Sequence, residues 1–203
     1  EIKLRRMSYS RRDDWQTIKR YGGGQLLNWG PHIIDHALRL LESPVKDMWS
    51  DLKLISAAGN AEDHLKIVLR GRNGRVVDLE ISGGSAVTEP EYIVLGTRGG
   101  LTCTGGEITM KYLDPRKKLT PRTAKSGTPT MGFGGTPEQL PWIEETFAVN
   151  PKKKVTMTRI WDDMFWSIRR GDEFPISLDE ALDVMKVVSK AKEGTKFDVK
   201  AKK

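Results

Sequence analysis

The stretch of this sequence that says most about its fold is GGGQLLNWGPHIID, residues 22–35. Three glycines interrupt the chain, and the residues that follow carry apolar side chains at the spacing of an amphipathic helix. We predict this helix over residues 26–41, with Pro31 in its first turn, where the missing N–H costs little. Its apolar face consists of Leu27, Ile33, Ile34, Ala37, Leu38 and Leu41.

The opposite face of this helix gathers polar side chains that could take part in chemistry. Asn28, His32, Asp35 and Arg39 lie within roughly 60° of each other when each residue turns by about 100°. A histidine can accept a hydroxyl proton near neutral pH, and the Asn28 amide could orient a substrate hydroxyl. A structural interpretation also fits, with Asn28 as the N-cap, His32 on the surface and Asp35–Arg39 as an ordinary ion pair.

The rest of the chain predicts a sheet and two closing helices. Apolar and polar residues alternate over 65–70 and 77–82, on either side of an Asn73-Gly74 pair that predicts a hairpin. Ser177 and Glu180 form a capping box that starts the last helix, which runs to about residue 192. The other predicted elements are strands at 2–9, 45–56, 92–96, 101–104, 107–113 and 142–149, and a helix at 159–170.

Composition excludes several classes of protein. The 203 residues, 37% of them hydrophobic, suffice for one packed domain. No run approaches the roughly 20 apolar residues of a membrane span. The single cysteine, Cys103, excludes an internal disulfide framework. The net charge of +7 allows anionic partners without requiring them, and nucleic-acid binding is not predicted.

Nucleotide and metal motifs are missing from the sequence. Residues 22–27 start like a dinucleotide fingerprint, but Leu27 occupies the position of the glycine that lets helix and strand pack closely. His36 and His64 lack carboxylate or cysteine neighbours at ligand spacing, so we predict no metal site. We therefore predict no cofactor-binding residues in this chain.

Two groups of residues permit alternative interpretations. The arginines near the N-terminus could form a solvated strand end or bind an anionic or polyhydroxylated ligand. The six tryptophans lie mostly in apolar periodic runs, which favours packing in a core or an interface over base stacking. The arginine cluster consists of Arg5, Arg6, Arg11 and Arg12.

Residues 22–35 resemble a segment of the Gfo/Idh/MocA family, which includes glucose–fructose oxidoreductase and inositol dehydrogenase. In that family a glycine pair or triplet, an Asp or Asn, a Gly, a His and an Asp open the first helix of the C-terminal domain. The closing part of the chain, from Trp161 through the helix at 180–188, is similar too. The resemblance therefore spans about residues 2–198.

The resemblance implies an α+β fold: an open, largely antiparallel β-sheet with helices packed on one face. The other face commonly packs against a partner subunit, which implies a homo-oligomer. Residues 1–198 would form the substrate and oligomerisation domain, and residues 199–203 a basic tail. The N-terminal Rossmann domain, which holds NAD or NADP in this family, would be absent from this chain.

The resemblance also implies site residues. His32 matches the catalytic histidine. Asn28 matches a position usually filled by Asp, which assists the histidine and holds a substrate hydroxyl; an amide can orient but cannot accept a proton. Arg11 and Arg12 fall near a strand end where some relatives contact substrate, and we count Asp35, which closes the motif, as a further substrate-binding residue.

The function expected from this resemblance is that of a substrate-binding domain in an NAD(P)-dependent sugar or polyol oxidoreductase. One alternative is a domain of an NAD-dependent glycosidase of the same family. Another is a non-catalytic sugar-binding or assembly module. Because the chain starts at Glu1 and goes straight into a strand, we interpret it as a fragment, and both cytoplasmic and exported locations stay open.

Overall fold

The computed structural model describes residues 1–124, 137–149 and 158–198, so the basic tail predicted at 199–203 lies outside the described residues. These residues form eight strands and four α-helices. In chain order the elements are β1 (Ile2–Met7), α1 (Gln25–Asn28), α2 (Gly30–Leu41), β2 (Val45–Lys53), β3 (His64–Gly71), β4 (Val76–Ser82), β5 (Tyr92–Gly96), β6 (Gly99–Thr104), β7 (Glu107–Leu113), β8 (Trp142–Ala148), α3 (Arg159–Arg170) and α4 (Leu178–Lys192).

All eight strands belong to one open sheet in the order β2-β3-β4-β1-β5-β6-β7-β8. The first strand, β1, lies in the middle of this sheet, parallel to β4 and antiparallel to β5. Every other neighbouring pair is antiparallel. The predicted fold class is confirmed, and so is the hairpin at Asn73-Gly74, where Gly74 takes a φ of 81°.

The core lies between one face of the sheet and helices α2 and α4. Strand alternation sends the apolar residues of β3 and β4 to this face, since residues two apart point the same way. Full burial of each such side chain stabilises the fold by roughly 1.5–3 kcal/mol. The buried set includes Leu65, Ile67 and Leu69 of β3, Val77, Leu79 and Ile81 of β4, Ile34, Ala37 and Leu41 of α2, and Val184, Val188 and Ala191 of α4.

The opposite face of the sheet is charged at its centre. Arg5 Nη2 lies 2.8 Å from Asp78 Oδ2, and Lys66 Nζ lies 3.2 Å from Glu80 Oε2. The Arg5 side chain is only 4% exposed. This pairing lets the buried guanidinium of Arg5 keep its charge. Helices α2 and α4 pack on the other face of the sheet.

The single helix predicted over residues 26–41 is wrong at one point, because the helix is divided at Trp29 into α1 and α2. Pro31 has no N–H to donate to the carbonyl of Leu27, so a continuous helix would lose a hydrogen bond there. The proline instead occupies the first turn of α2, as expected. Asn28 therefore ends one helix and His32 lies in the first turn of the next.

The sequence predicts that the tryptophans pack in a core or an interface; packing in the core is not seen, and packing in an interface stays a prediction. All six are between 37% and 69% exposed. Trp49, for example, lies in β2 on the charged face of the sheet, while Trp161 and Trp166 belong to α3, which has no buried residue. Helices α3 and α4 agree with prediction, including the capping box of Ser177 and Glu180.

No helix among the described residues has the length and apolarity needed to span a membrane.

Candidate functional site

A cleft of about 210 Å³ opens where β1 and β4 end and α1 begins. Its position follows from the alternation of side chains along β1. Ile2 and Leu4 face the helices and are buried beneath them. The next residues with the same phase, Arg6, Ser8 and Ser10, line the cleft instead. The cleft thus begins where the apolar row on this strand gives way to polar side chains.

The glycines at 22–24 bring the start of α1 against a neighbouring loop. Gly24 takes a φ of 116°, which L side chains rarely adopt, and a β-carbon there would overlap the carboxylate of Glu62. The N–H of Gly24 donates to the carbonyl of Gln16 at 2.8 Å, and the N–H of Gln25 donates to the carbonyl of Glu62 at 2.9 Å. Because residue 24 has no side chain, the start of α1 and the loop that carries Glu62 can pack against each other at the wall of the cleft.

Two consecutive carboxylates line the cleft in different electrostatic states. Glu62 is 2% exposed and accepts one hydrogen bond, from the N–H of Leu26 at 3.2 Å. Burial raises the pKa of Glu62. Burial acts the same way on Asp63, but hydrogen bonds from backbone N–H groups and from the hydroxyl of Ser56 outweigh it and lower the pKa of Asp63. The two carboxylates thus have pKa values shifted in opposite directions, up for Glu62 and down for Asp63.

A polar wall formed by Arg12, Gln16 and Asn28 faces the same cleft. Asn28 Nδ2 donates to Gln16 Oε1 at 3.2 Å, and the guanidinium of Arg12 donates to the same oxygen. Arg12 is itself held by two hydrogen bonds of 2.9 Å to the carboxylate of Asp14. The Asn28 amide is thereby oriented with Nδ2 occupied, while its Oδ1 accepts no hydrogen bond within the described residues. That oxygen could accept a hydrogen bond from a ligand hydroxyl.

The mouth of the cleft carries Arg6, Trp29 and His32, all exposed. Arg6 Cζ lies 3.4 Å from the centroid of a Trp29 ring, and the Trp29 and His32 rings lie 5.5 Å apart, centroid to centroid. Trp29 itself lines the cleft. Neither ring nitrogen of His32 makes a hydrogen bond in the described part of the chain, so both are open to a hydrogen bond with a bound molecule.

The structure brings together three of the predicted site residues. Arg12 and Asn28 line the cleft, and His32 lies at its mouth against Trp29. Arg11 is exposed and does not line the cleft.

Asp35 lies elsewhere, in a groove of about 530 Å³ between α2 and α4. Its Oδ2 is 3.0 Å from Arg39 Nε, and Arg39 Nη1 is 3.2 Å from Glu180 Oε1. This groove is larger, but these charged groups are satisfied by one another. In the smaller cleft, Asn28 Oδ1 and the buried Oε1 of Gln25 have no partner among the described residues. The smaller cleft is therefore the better candidate for ligand binding.

Most residues that line the cleft are not among the predicted site residues, and they include Gln16, Gln25, Trp29 and Glu62. Arg6 was predicted only as a member of the arginine cluster. Its alternation with Ile2 and Leu4 was the available signal, since it places Arg6 on the helix side of the strand. Gln16, Gln25 and Glu62 come together from separate segments of the chain, so no local sequence pattern marks them as site residues. Among the described residues, no group of three or more His, Cys, Asp or Glu could hold a metal ion.

Comparison with known proteins gives a match to one family model and to a curated relative. The family model described as the GFO/IDH/MocA C-terminal domain matches residues 1–102, which include every residue that lines the cleft. An uncharacterized oxidoreductase of Schizosaccharomyces pombe is 25% identical over 195 residues, covering 87% of this chain and 51% of that protein. The chain thus spans about half the length of this relative.

Solved structures share the fold at low sequence identity. An NAD-binding protein from Listeria innocua superposes with a TM-score of 0.70 at 22% identity, over 96% of this chain and 56% of that one. UDP-N-acetylglucosamine 3-dehydrogenase from Acidithiobacillus ferrooxidans gives a TM-score of 0.63 at 11% identity, over 96% and 54%. The solved structures share the fold, and the family match shows that the chain belongs to the Gfo/Idh/MocA family, as its C-terminal domain.

Proposed function

We propose that this chain is the substrate-binding domain of an NAD(P)-dependent oxidoreductase acting on a sugar or polyol, with His32 as the catalytic acid–base. The observation that carries the proposal is an exposed imidazole with two free ring nitrogens at the mouth of a cleft lined by hydroxyl, amide and guanidinium groups. Such groups suit a polyhydroxylated ligand. Two proteins that share the fold also support it, one an NAD-binding protein and the other a UDP-N-acetylglucosamine 3-dehydrogenase.

The cofactor would be held mainly by polypeptide outside this chain. A volume of about 210 Å³ is below the roughly 300–1,000 Å³ of typical ligand pockets and does not fit a dinucleotide. When bound, a nicotinamide supplies the two-electron acceptor for oxidation of the substrate carbon. The residues of this chain would bind the substrate and handle its proton.

The proton would leave the substrate hydroxyl for a free ring nitrogen of His32. Asn28 would act as a positioning residue, because its Oδ1 can accept a hydrogen bond from a hydroxyl while Gln16 holds its Nδ2. Arg12 in turn fixes Gln16 by donating to the same oxygen. Trp29 would form an apolar wall beside His32 that excludes water from one side of the substrate. We leave Arg11 and Asp35 out of this site because neither lines the cleft.

Replacement of His32 tests this proposal in the complete protein. For His32→Ala we expect kcat for NADH or NADPH formation to fall by about 10²–10⁴-fold, the usual contribution of a general acid–base. His36→Ala is the matched control, since His36 is also exposed and lies one turn further along α2. Equal turnover by wild type and His32→Ala would refute the proposal. Cleavage of an aryl glycoside without net NADH formation would favour the NAD-dependent glycosidases of the family.

We also propose that the sheet face opposite α2 and α4 is an interface between copies of this chain. Helices α2 and α4 cover one face of the sheet. A second protein layer would be needed to bury the opposite face. The other face presents Trp49, which is 55% exposed, and hydroxyls such as those of Thr109 and Thr146, 3.1 Å apart. A two-fold symmetric pair would bury this surface against itself.

Light scattering tests the interface. We expect wild type to be a dimer or larger, and we expect Thr109→Arg, on the β7 part of the face, to shift it to monomer at micromolar concentration. Ser189→Arg is the control, because Ser189 is exposed on α4 and away from the sheet. A monomeric wild type would contradict this part of the proposal.

A further inference from the structure

Arg6 has a guanidinium group that forms no ion pair with an acid among the described residues. It lies at the mouth of the cleft, and none of its five N–H donors bonds to another of the described residues. Its neighbours in the arginine cluster differ. Arg5 points to the other face of the sheet, where it pairs with Asp78 at 2.8 Å, and Arg12 is engaged by Asp14 and Gln16.

The carboxylates of the cleft are buried and do not face solvent as Arg6 does. Asp63 is 6% exposed, and its oxygens accept hydrogen bonds of 2.7 Å from the N–H groups of Ile55, Ser56 and Ala57, so its charge is directed at this loop. Glu62 is buried against the start of α1, with its carboxyl oxygen 3.2 Å from the N–H of Leu26. The charge left facing solvent at the mouth is therefore positive.

Stacking on Trp29 fixes the plane of the Arg6 guanidinium without using its N–H donors. Cζ lies 3.4 Å from the ring centroid, so the flat face of the group is occupied while its edges stay free. Paired N–H groups along one edge match the two oxygens of a carboxylate or a phosphate. Because Trp29 also contacts His32, an oxyanion bound there would lie beside the proposed proton acceptor.

From these contacts we propose that Arg6 binds an oxyanion of the substrate, a carboxylate or a phosphate, and so selects acidic sugars over neutral ones. The inference rests on the function proposed above, since it assigns the substrate class of the same cleft. Ser8, two residues further along the same face of the chain, is exposed and lines the cleft, so its hydroxyl can add a hydrogen bond to the anion. Arg6 would then set substrate specificity and take no part in proton transfer.

Calorimetric titration of the complete protein with three probes tests the inference. The probes are D-glucuronate, D-glucose 6-phosphate and D-glucose, each added in the presence of NADH so that no oxidation occurs. We expect wild type to bind at least one of the two acids tenfold or more tightly than D-glucose, and the preferred acid distinguishes carboxylate from phosphate. Arg6→Gln should remove at least tenfold of that affinity and leave D-glucose within twofold. Arg11→Gln, at an exposed arginine outside the cleft, should change none of the three.

Two results would overturn the inference. One is that wild type binds neither acid more tightly than D-glucose. The other is that Arg6→Gln weakens all three probes equally or weakens none. Binding is measured without turnover, so a lack of NADH formation in the activity assay would count against the proposed reaction alone. A wild-type protein that did not discriminate between the acids and D-glucose in the titration would count against the acidic substrate alone.

Discussion

Replacement of Asp63 by asparagine removes one negative charge from the loop that forms the wall of the cleft. Asp63 Oδ1 accepts from the N–H of Ile55, and Oδ2 accepts from the N–H groups of Ser56 and Ala57, all at 2.7 Å. An asparagine can keep its oxygen toward Ser56 and Ala57, but its NH2 then faces the N–H of Ile55. Hydrogen bonds to charged groups contribute about 1.5–3 kcal/mol each. One lost bond and two weakened ones predict a decrease of about 2–4 kcal/mol in the free energy of unfolding.

The pH dependence provides a second readout of the same interaction. Burial tends to raise the pKa of Asp63, but the N–H donors and the Ser56 hydroxyl outweigh burial, so the folded-state pKa is lowered. The carboxylate therefore stabilises the fold fully above the unfolded-state pKa of about 3.9. That contribution is lost as the pH falls through the lower folded-state pKa. The difference between wild type and Asp63→Asn should accordingly narrow as the pH falls below about 4.

Urea unfolding followed by far-UV circular dichroism measures both effects, at pH 7 and at pH 3. Asp13→Asn is the control, because Asp13 is exposed and makes no ion pair among the described residues. We expect it to change stability by less than about 0.5 kcal/mol. If Asp63→Asn were as stable as this control at pH 7, or if its deficit were the same at both pH values, the carboxylate would not hold the loop.

Two further substitutions test the packing behind the cleft. Gly24→Ala should lower the melting temperature more than Gly74→Ala, because both residues have positive φ but a β-carbon meets Glu62 only at residue 24; equal losses in thermal unfolding would contradict this. Burial raises the pKa of Glu62, so its ionisation opposes folding as the pH rises through the unfolded-state value of about 4.3. Glu62→Gln should therefore raise the urea midpoint at pH 8 but not at pH 4, and an equal effect at both pH values would rule out ionisation as the cause.

The elements that the sequence predicts best are those whose pattern is local. Strands β3 and β4 alternate apolar and polar residues because only one face is covered by helices. The hairpin at Asn73-Gly74 and the capping box at Ser177 are short motifs with a direct backbone cause. The break at Trp29 is not visible in the apolar spacing, which continues across it. Its only local signal is Pro31, which cannot donate a hydrogen bond to the carbonyl of Leu27.

Parts of the candidate site can be predicted where a sequence motif, or the alternation of side chains along a strand, marks the residues. Asn28 and His32 come from the motif at residues 22–35, and the structure places one in the cleft and the other at its mouth. Arg6 could have been separated from Arg11 by the phase of β1, since it follows Ile2 and Leu4 on the helix side. The place of Glu62 in the site cannot be predicted from the sequence, because its partner Leu26 is 36 residues away and no local pattern shows which loop carboxylate becomes buried.

The central place of β1 has a consequence for the order in which the chain can fold. Leu4 pairs with Leu79 on one side and with Tyr92 on the other, although it lies near the amino end of the chain. Sequence-distant pairings of this kind slow folding, since a long loop must close before they form. During synthesis this strand must wait for some 90 residues to leave the ribosome. Until then its apolar side chains are open to chaperones, and only once β1 is in place are the β2-β3-β4 and β5–β8 groups joined into one sheet.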